Sequence, residues 1–269
     1  MSNIANETPA MLKDMLSKAL LKRIKKESFD IGYDVPQEMF KNLIEELHAK
    51  YGQTVVVLID EYDKPILDHL DDTKTAAANR KVLRGFYGIL KSMDPHLRLT
   101  FITGITKFTK TSIFSDMNNL SDITFSKKYS GICGISTSDL DECFAEHVKS
   151  LSAAEGFECS DGLRGKILAW YDGYSWDGRT QLLNPFSLLS FFDKESIANY
   201  WFASGTPNFL MGLMKEKPSA YTNLKNLEIT ELMLDLATIE KITVELLLFQ
   251  TGYLTVKEVR KTDGAPVWV

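Results

Sequence analysis

Hydrophobic and polar residues follow two rhythms along the N-terminal part of the chain. Apolar residues recur at helical spacing over Leu12–Leu20, Met39–Leu47 and Val82–Met93. Two short segments rich in apolar residues, VVVLI at Val55–Ile59 and LRLTFITG at Leu97–Gly104, alternate with the later helical segments. A spacing of three and four residues predicts an amphipathic helix, whereas a short run rich in β-branched residues predicts a buried strand. The order helix, strand, helix, strand therefore predicts an α/β fold, with a parallel sheet and helices on both of its faces.

Polar residues follow both predicted strands at the point where each strand ends. Asp60 and Glu61 come directly after the first strand, and the sequence TGITK, Thr103–Lys107, follows the second. The carboxyl ends of neighbouring parallel strands meet at one edge of a sheet, so we expect these groups to face one crevice. The next residues, Asp63–Pro65, are predicted to form a turn and the entry to a helix, because proline suits the first helical turn.

This pattern of polar residues is typical of a nucleotide hydrolase. The first acidic residue, Asp60, is the candidate Mg²⁺ ligand, because this cation prefers oxygen ligands. Glu61 is the candidate general base that would polarise the attacking water, and it also belongs to the predicted cofactor-binding pair. A hydroxyl from Thr103 or Thr106 could contact the γ-phosphate, and the ammonium of Lys107 could stabilise charge on it. A structural alternative stays open, since strands often end in aspartate simply because it begins turns well.

A phosphate-binding loop of the form GxxxxGK[ST] does not occur in the sequence. The pair Gly131 and Gly134 lacks the lysine, and Gly165-Lys166 is preceded by Ser160 at the position of the first glycine. Such a loop supplies the backbone amides and the lysine that hold the β- and γ-phosphates. The sequence therefore predicts half of an ATP site, and poor or no ATP hydrolysis by this chain.

The C-terminal part of the sequence has a different character. We place a domain boundary near residue 155, giving domains 1–155 and 156–269. The run ITVELLLFQTGYLTVKEV predicts a helix, a turn at Thr251 and Gly252, and a strand, as in a helical or winged-helix region. Upstream, Ser138 is the predicted N-cap of a helix that extends to Leu151. A dense set of aromatic residues is expected to pack in a core rather than to stack on bases: Trp170, Tyr171, Tyr174, Trp176, Tyr200, Trp201 and Phe202.

Composition narrows the classes of partner. The formal net charge is −5 and the pI is about 5.5, so no overall basic field attracts nucleic acid or an anionic membrane. No apolar run approaches the length of a membrane span, and the basic N-terminal residues are not followed by the continuous apolar segment that a signal peptide requires. The three cysteines lack the spacing of a zinc site or a disulfide framework. The four histidines are scattered along the sequence. We predict a cytoplasmic protein with no membrane partner.

Several motifs together resemble a known family. The segments LIDEYDKPILDHL, FITGITKFTKTSIFSDMNNLSDIT, WYDGYSW, NPFSLLSFF and NYWFASGTPNFL are similar, in this order, to the prokaryotic AAA-ATPase-like proteins. The resemblance covers residues 38–260 and implies a truncated P-loop ATPase core, with ATP and Mg²⁺ as its cofactors. It implies that Asp60 and Glu61 are the Walker B pair and that TGITKF is the sensor strand. Members of the family often carry arginine where this sequence has Lys107, which loses the planar donor that suits phosphate.

The same resemblance implies what surrounds this region in relatives. Full-length members begin with a Walker A segment and usually end with a nuclease-like domain of the PD-(D/E)XK class, and we expect this chain to lack both. The expected partner is a protein, or a missing N-terminal segment, that supplies the phosphate loop. The alternatives are half of a split ATPase completed in trans, and a non-catalytic protein-interaction or nucleic-acid-binding module that acts through the C-terminal region. A metal-dependent nuclease is disfavoured, because Asp60 and Glu61 lack the companion lysine motif.

Overall fold

The chain forms two units, each assembled from separate stretches of sequence. The first contains Met1–Ser121 and Leu232–Thr251, and the second contains Asp122–Glu231 and Gly252–Val269. The predicted division at residue 155 falls within the sequence range of the second unit and stays a prediction. The computed structural model describes residues 4–106, 113–114, 117–154, 160–201, 227–235, 243–262 and 265–269.

The elements of the first unit follow the predicted order of helices and strands. They are α1 (Pro9–Glu27), α2 (Pro36–Tyr51), β1 (Val55–Ile59), α3 (Lys64–Leu67), α4 (Thr73–Ser92), a 3₁₀ turn (Asp94–His96) and β2 (Leu97–Ile102). Their ends have local causes. The Met11 N–H donates to the Thr8 side chain at the start of α1, and Gly52, at φ 62°, ends α2 as expected. The α/β class is therefore confirmed.

Strands β1 and β2 pair in parallel, as predicted. Val57 lies opposite Thr100 and Ile59 lies opposite Ile102. Only one face of this sheet is covered in the described structure, which corrects the expectation of helices on both faces. Val57 is 8% exposed, whereas Val56 and Leu58 are 48% and 71% exposed, and Leu99, the partner of Val56, is 50% exposed. Because side chains alternate along a strand, the continuous apolar run places two of its five residues, Val56 and Leu58, on the open face.

The second unit contains mostly short helices and a small antiparallel sheet. The helices are α5 (Thr137–Cys143), α6 (Ala145–Ala154), α7 (Ser160–Tyr171) and α8 (Pro185–Lys194), and a 3₁₀ turn spans Lys127–Tyr129. Strand β5 (Ala265–Trp268) pairs with both β3 (Ile229–Thr230) and β4 (Val259–Thr262). A buried cluster that includes Leu140, Leu163, Ile167, Leu183 and Leu188 connects the helices.

The helix predicted from Ser138 to Leu151 starts earlier and consists of two pieces. Ser136 is the N-cap, because its hydroxyl accepts from the Asp139 N–H at 3.0 Å while the Asp139 carboxylate accepts from the Ser136 N–H at 2.8 Å. This reciprocal capping box satisfies two donors that a cap at Ser138 would leave unpaired. The helix is then interrupted at Phe144, between α5 and α6.

The aromatic residues lie mainly in packed positions, with one exception. Tyr171 and Tyr200 belong to the buried cluster, and the rings of Tyr174 and Trp176 meet edge to face at 5.2 Å. Trp170 is more than half exposed, which corrects its expected burial. Phe202 lies outside the described residues.

The predicted succession of helix, turn and strand near the C-terminus is present. Helix α10 (Val244–Gln250), which follows the short α9 (Glu231–Asp235), ends at Thr251, and Gly252 has a φ of 82°. Helix α10 belongs to the first unit, while β4 and β5 belong to the second. A winged helix therefore stays a prediction. None of the helices in the described ranges is both long and apolar enough to cross a bilayer.

Candidate functional site

The ends of β1 and β2 bring three of the predicted site residues together. The Thr103 hydroxyl donates to Asp60 Oδ1 at 2.6 Å, and the Glu61 N–H donates to the same oxygen at 2.9 Å. Backbone bonds continue the pairing past the strands, because the Thr103 N–H donates to the Ile59 carbonyl and the Tyr62 N–H donates to the Thr103 carbonyl. The two strand tips are thus adjacent, as expected, and Asp60 connects them, while the shared crevice stays a prediction.

Glu61 combines an unusual backbone with an unsatisfied carboxylate oxygen. Its φ of 53° lies in the left-handed region, which few residues other than glycine adopt. Its Oε2 atom is shielded from solvent and has no hydrogen-bond partner among the described residues. A shielded carboxylate oxygen without a partner costs free energy, and strained backbone of this kind is concentrated at functional sites. Both features suit a side chain that binds a ligand.

Two neighbouring side chains hold the loop that follows β2. The buried Asp63 carboxylate accepts from the Ile105 N–H at 3.2 Å, from the Thr106 N–H at 2.5 Å and from the Thr106 hydroxyl at 2.6 Å. The Tyr62 hydroxyl donates to the Thr106 carbonyl at 2.8 Å. We call these four contacts the Asp63 clamp. It joins the turn after β1 to the loop after β2.

Gly104 lies where the clamp closes most tightly. A Cβ atom at this position would stand 2.5 Å from Cε1 of Tyr62 and 2.7 Å from Oδ1 of Asp63. The close approach of these two side chains therefore requires glycine here. The glycine of TGITK is explained by packing at the site.

The charge of the site is negative in the described part of the chain. Asp60, Glu61 and Asp63 bring three carboxyl groups into four consecutive residues, while the Lys64 ammonium pairs with Asp68 at 2.9 Å. Burial raises the pKa of the Asp63 carboxyl, and the hydrogen bonds from Thr106 and Ile105 oppose that rise. The Asp63 carboxylate is occupied by the loop, so the carboxylates that suit a cation are those of Asp60 and Glu61.

The donor set suits a hard divalent cation that keeps part of its water shell, rather than a metal ion whose ligands all come from the protein. No group of three metal-ligating side chains occurs among the described residues. Mg²⁺ is commonly held by one or two carboxylates, with waters and substrate phosphates in its other positions. The carboxylate of Asp60 and the unpaired Oε2 atom of Glu61 are ligands of this kind.

The other predicted site residues have different positions. Thr106 is buried and its hydroxyl is bonded to Asp63, so a contact with phosphate, which stays a prediction, requires that bond to break. The Thr103 hydroxyl donates to Asp60, and its role toward phosphate also stays a prediction. Lys107 lies outside the described residues.

Sequence reasoning missed the clamp and one pairing of histidines. Asp63 does precede helix α3, and its carbonyl accepts from the Ile66 N–H, as expected of a helix entry. The parallel order places the residues after Asp60 beside TGITK, but the sequence carries no signal for which of their side chains contacts that loop. Two of the scattered histidines, His48 and His96, meet with ring centroids 5.0 Å apart.

Comparison with known proteins identifies the region that carries this site. The sequence profile of a family described as Predicted AAA-ATPase matches residues 1–114, which include Asp60, Glu61 and Thr103. An Azotobacter chroococcum mcd 1 protein named "Uncharacterized protein in vnfD 5'region" is 40% identical over 227 residues. That match covers 84% of this chain and 42% of the length of the relative. No solved structure matched. The match supports the resemblance to the AAA-ATPase-like family within residues 1–114, which include the acidic strand tip, whereas the motifs beyond residue 124 lie outside the matched range.

Proposed function

We propose that this chain is an ATPase-family module in which Asp60 and Glu61 form the Mg²⁺ and nucleotide site. The observation that carries the proposal is the hydrogen bond between Thr103 and Asp60, which joins the tips of two parallel strands inside the family-matched region. In open α/β sheets, ligands bind beyond the carboxyl ends of the strands. The first unit would then be a truncated P-loop ATPase core, and the C-terminal region a helical, winged-helix-like appendage.

The residues at the strand tips would have different roles, according to their surroundings. Asp60 would hold Mg²⁺, and Thr103 would fix the orientation of its carboxylate through the existing hydrogen bond. Glu61 would accept a proton from the attacking water, a role worth about 10²–10⁴ in rate. Lys107 would place positive charge near the terminal phosphate. Bound Mg²⁺ supplies neutralisation of charge on the phosphate oxygens.

The sequence lacks the loop that usually binds the nucleotide phosphates, so we propose that another polypeptide segment supplies this loop. The open face of the β1–β2 sheet, formed by Val56, Leu58 and Leu99, supports this proposal, because such apolar surface is costly to leave in water. The segment would be a protein partner, or an N-terminal segment, that carries GxxxxGK[ST]. The resulting module would couple nucleotide state to that partner or to an attached effector.

The alternative function, nucleic-acid binding through the C-terminal region, has weaker support. Strand β4 exposes Arg260 and Lys261, two basic residues that could meet phosphates. However, the Arg260 guanidinium forms ion pairs with Glu228 and Glu258, which reduces the positive charge of this strand. The alternative predicts binding to DNA that weakens steeply as salt rises.

Steady-state ATP hydrolysis tests the proposal that the site is incomplete in this chain. We expect the purified chain, with Mg²⁺, to release phosphate at the rate of the buffer, because binding groups for the β- and γ-phosphates are missing from its sequence. The Glu61→Gln variant should give the same background rate. Turnover by the wild type that Glu61→Gln abolishes would contradict the expected inactivity, and would show that other residues hold the phosphates.

A further inference from the structure

We infer that Asp63 is a positioning residue, which fixes the loop after β2 so that Thr103 stays bonded to Asp60. The geometric part of this inference stands on the Asp63 clamp, and its consequence for catalysis rests on the proposed function. Asp63 itself is buried, so it would act through Thr103 and not on the substrate.

The carboxylate of Asp63 is the acceptor for three donors of the loop. Two of these are backbone N–H groups, of Ile105 and Thr106, and the third is the Thr106 hydroxyl. Buried N–H groups that lose their acceptor carry the full cost of desolvation. The loop therefore has no equally good position without this carboxylate.

A second set of contacts holds the same loop in the same place. The Tyr62 hydroxyl binds the Thr106 carbonyl, and the missing side chain of Gly104 lets Tyr62 and Asp63 approach the backbone. Tyr62 also bonds through its N–H to the carbonyl of Thr103. The position of Thr103 is thus set from both sides, by β2 before it and by the clamp after it.

The Asp63 clamp affects the contact between Thr103 and Asp60 at the strand tip. Asp60 and Asp63 lie in one turn, and each binds one end of the segment Thr103–Thr106. Loosening the Asp63 end gives the segment more freedom to move away from Asp60, because only β2 and the Tyr62 hydrogen bonds would then hold it.

The test is hydrogen exchange and amide NMR on the full chain without ligand. In Asp63→Asn we expect the Ile105 and Thr106 amides to exchange at least about tenfold faster, and the Thr103 and Glu61 resonances to shift. Thr106→Val, which removes one donor and keeps the shape, should give a smaller acceleration, and Thr106→Ser should restore exchange to the wild-type rate. The control is Asp71→Asn, an exposed carboxyl in the same unit, which should change none of these signals.

Each result decides the inference. Unchanged Thr103 and Glu61 resonances in a folded Asp63→Asn variant would overturn it. If that variant does not fold, the comparison of Thr106→Val with Thr106→Ser decides, and equal exchange in the two would overturn it. A separate titration with Mn²⁺·ATP tests the proposed function, since the metal should broaden the Glu61 and Thr103 amide signals in the wild type. Absence of that broadening contradicts the proposed function, while the exchange data still decide the role of Asp63.

Discussion

Replacement of Gly178 by alanine should destabilise the second unit by about 2–4 kcal/mol. Gly178 has a φ of 69°, in the left-handed region that disfavours alanine. A Cβ atom there would also lie 2.6 Å from the Cα atom of Glu258, and the backbone of a neighbouring segment cannot rotate away as a side chain can. The turn is held in place by Asp177, whose carboxylate accepts from the Arg179 and Thr180 N–H groups at 2.9 and 2.7 Å.

Urea unfolding followed by tryptophan fluorescence measures this effect. All four tryptophans lie in the sequence ranges of the second unit, and Trp176 is two residues from the substitution. The matched control is Gly165→Ala, because Gly165 lies within α7 and the space that its new methyl group would enter is open. That change should stabilise the unit by about 0.5–1 kcal/mol, since alanine favours a helix. Equal stability of the two variants would contradict the close approach at Gly178.

Gly104→Ala should destabilise the first unit by about 2–3 kcal/mol. Its new Cβ atom would overlap the Tyr62 ring and the Asp63 carboxylate, both of which are buried and hydrogen-bonded. Relief requires the Asp63 clamp to open, so the loss includes hydrogen bonds as well as packing. The substitution therefore tests the clamp without removing any of its polar groups.

The free energy of unfolding, from urea titration monitored by circular dichroism, gives the size of this loss. Gly88→Ala is the control, since Gly88 lies within α4 and an added Cβ would meet no atom within 4 Å. We expect the control to be as stable as the wild type or slightly more stable. A Gly104→Ala variant that matches the control would mean that the clamp does not close as tightly as the distances indicate.

The sequence was sufficient to predict the parallel pair and its acidic tip. The strand pattern of Val55–Ile59 and Leu97–Ile102 depends on local periodicity, and the meeting of Asp60 with Thr103 follows from parallel order alone. The Asp63 side chain could not be assigned from its neighbours, because a helix entry and a tertiary clamp look alike in one dimension. The left-handed backbone of Glu61 had no local signal either, since that conformation usually favours glycine.

Other differences also have tertiary causes. The run VVVLI resembles a strand covered on both faces, yet coverage depends on which elements pack against the sheet, and periodicity does not specify this. The N-cap is Ser136 and not the predicted Ser138, because the reciprocal hydrogen bonds between Ser136 and Asp139 determine where α5 begins. His48 and His96 are far apart in sequence and meet only because α2 and the 3₁₀ turn before β2 pack together.

Equilibrium binding of Mg²⁺·ATP, measured by calorimetry, tests the central claim most directly. Wild type is compared with Asp60→Asn/Glu61→Gln and with a control of equal charge, Glu46→Gln/Asp71→Asn, after circular dichroism has established that all three are folded. We predict that wild type and control bind Mg²⁺·ATP with equal affinity. The Asp60→Asn/Glu61→Gln variant should bind it at least about tenfold more weakly, because contacts to ionised groups are worth about 1.5–3 kcal/mol. Equal affinity in all three folded proteins, or no binding by the wild type, would contradict a nucleotide site at the strand tip.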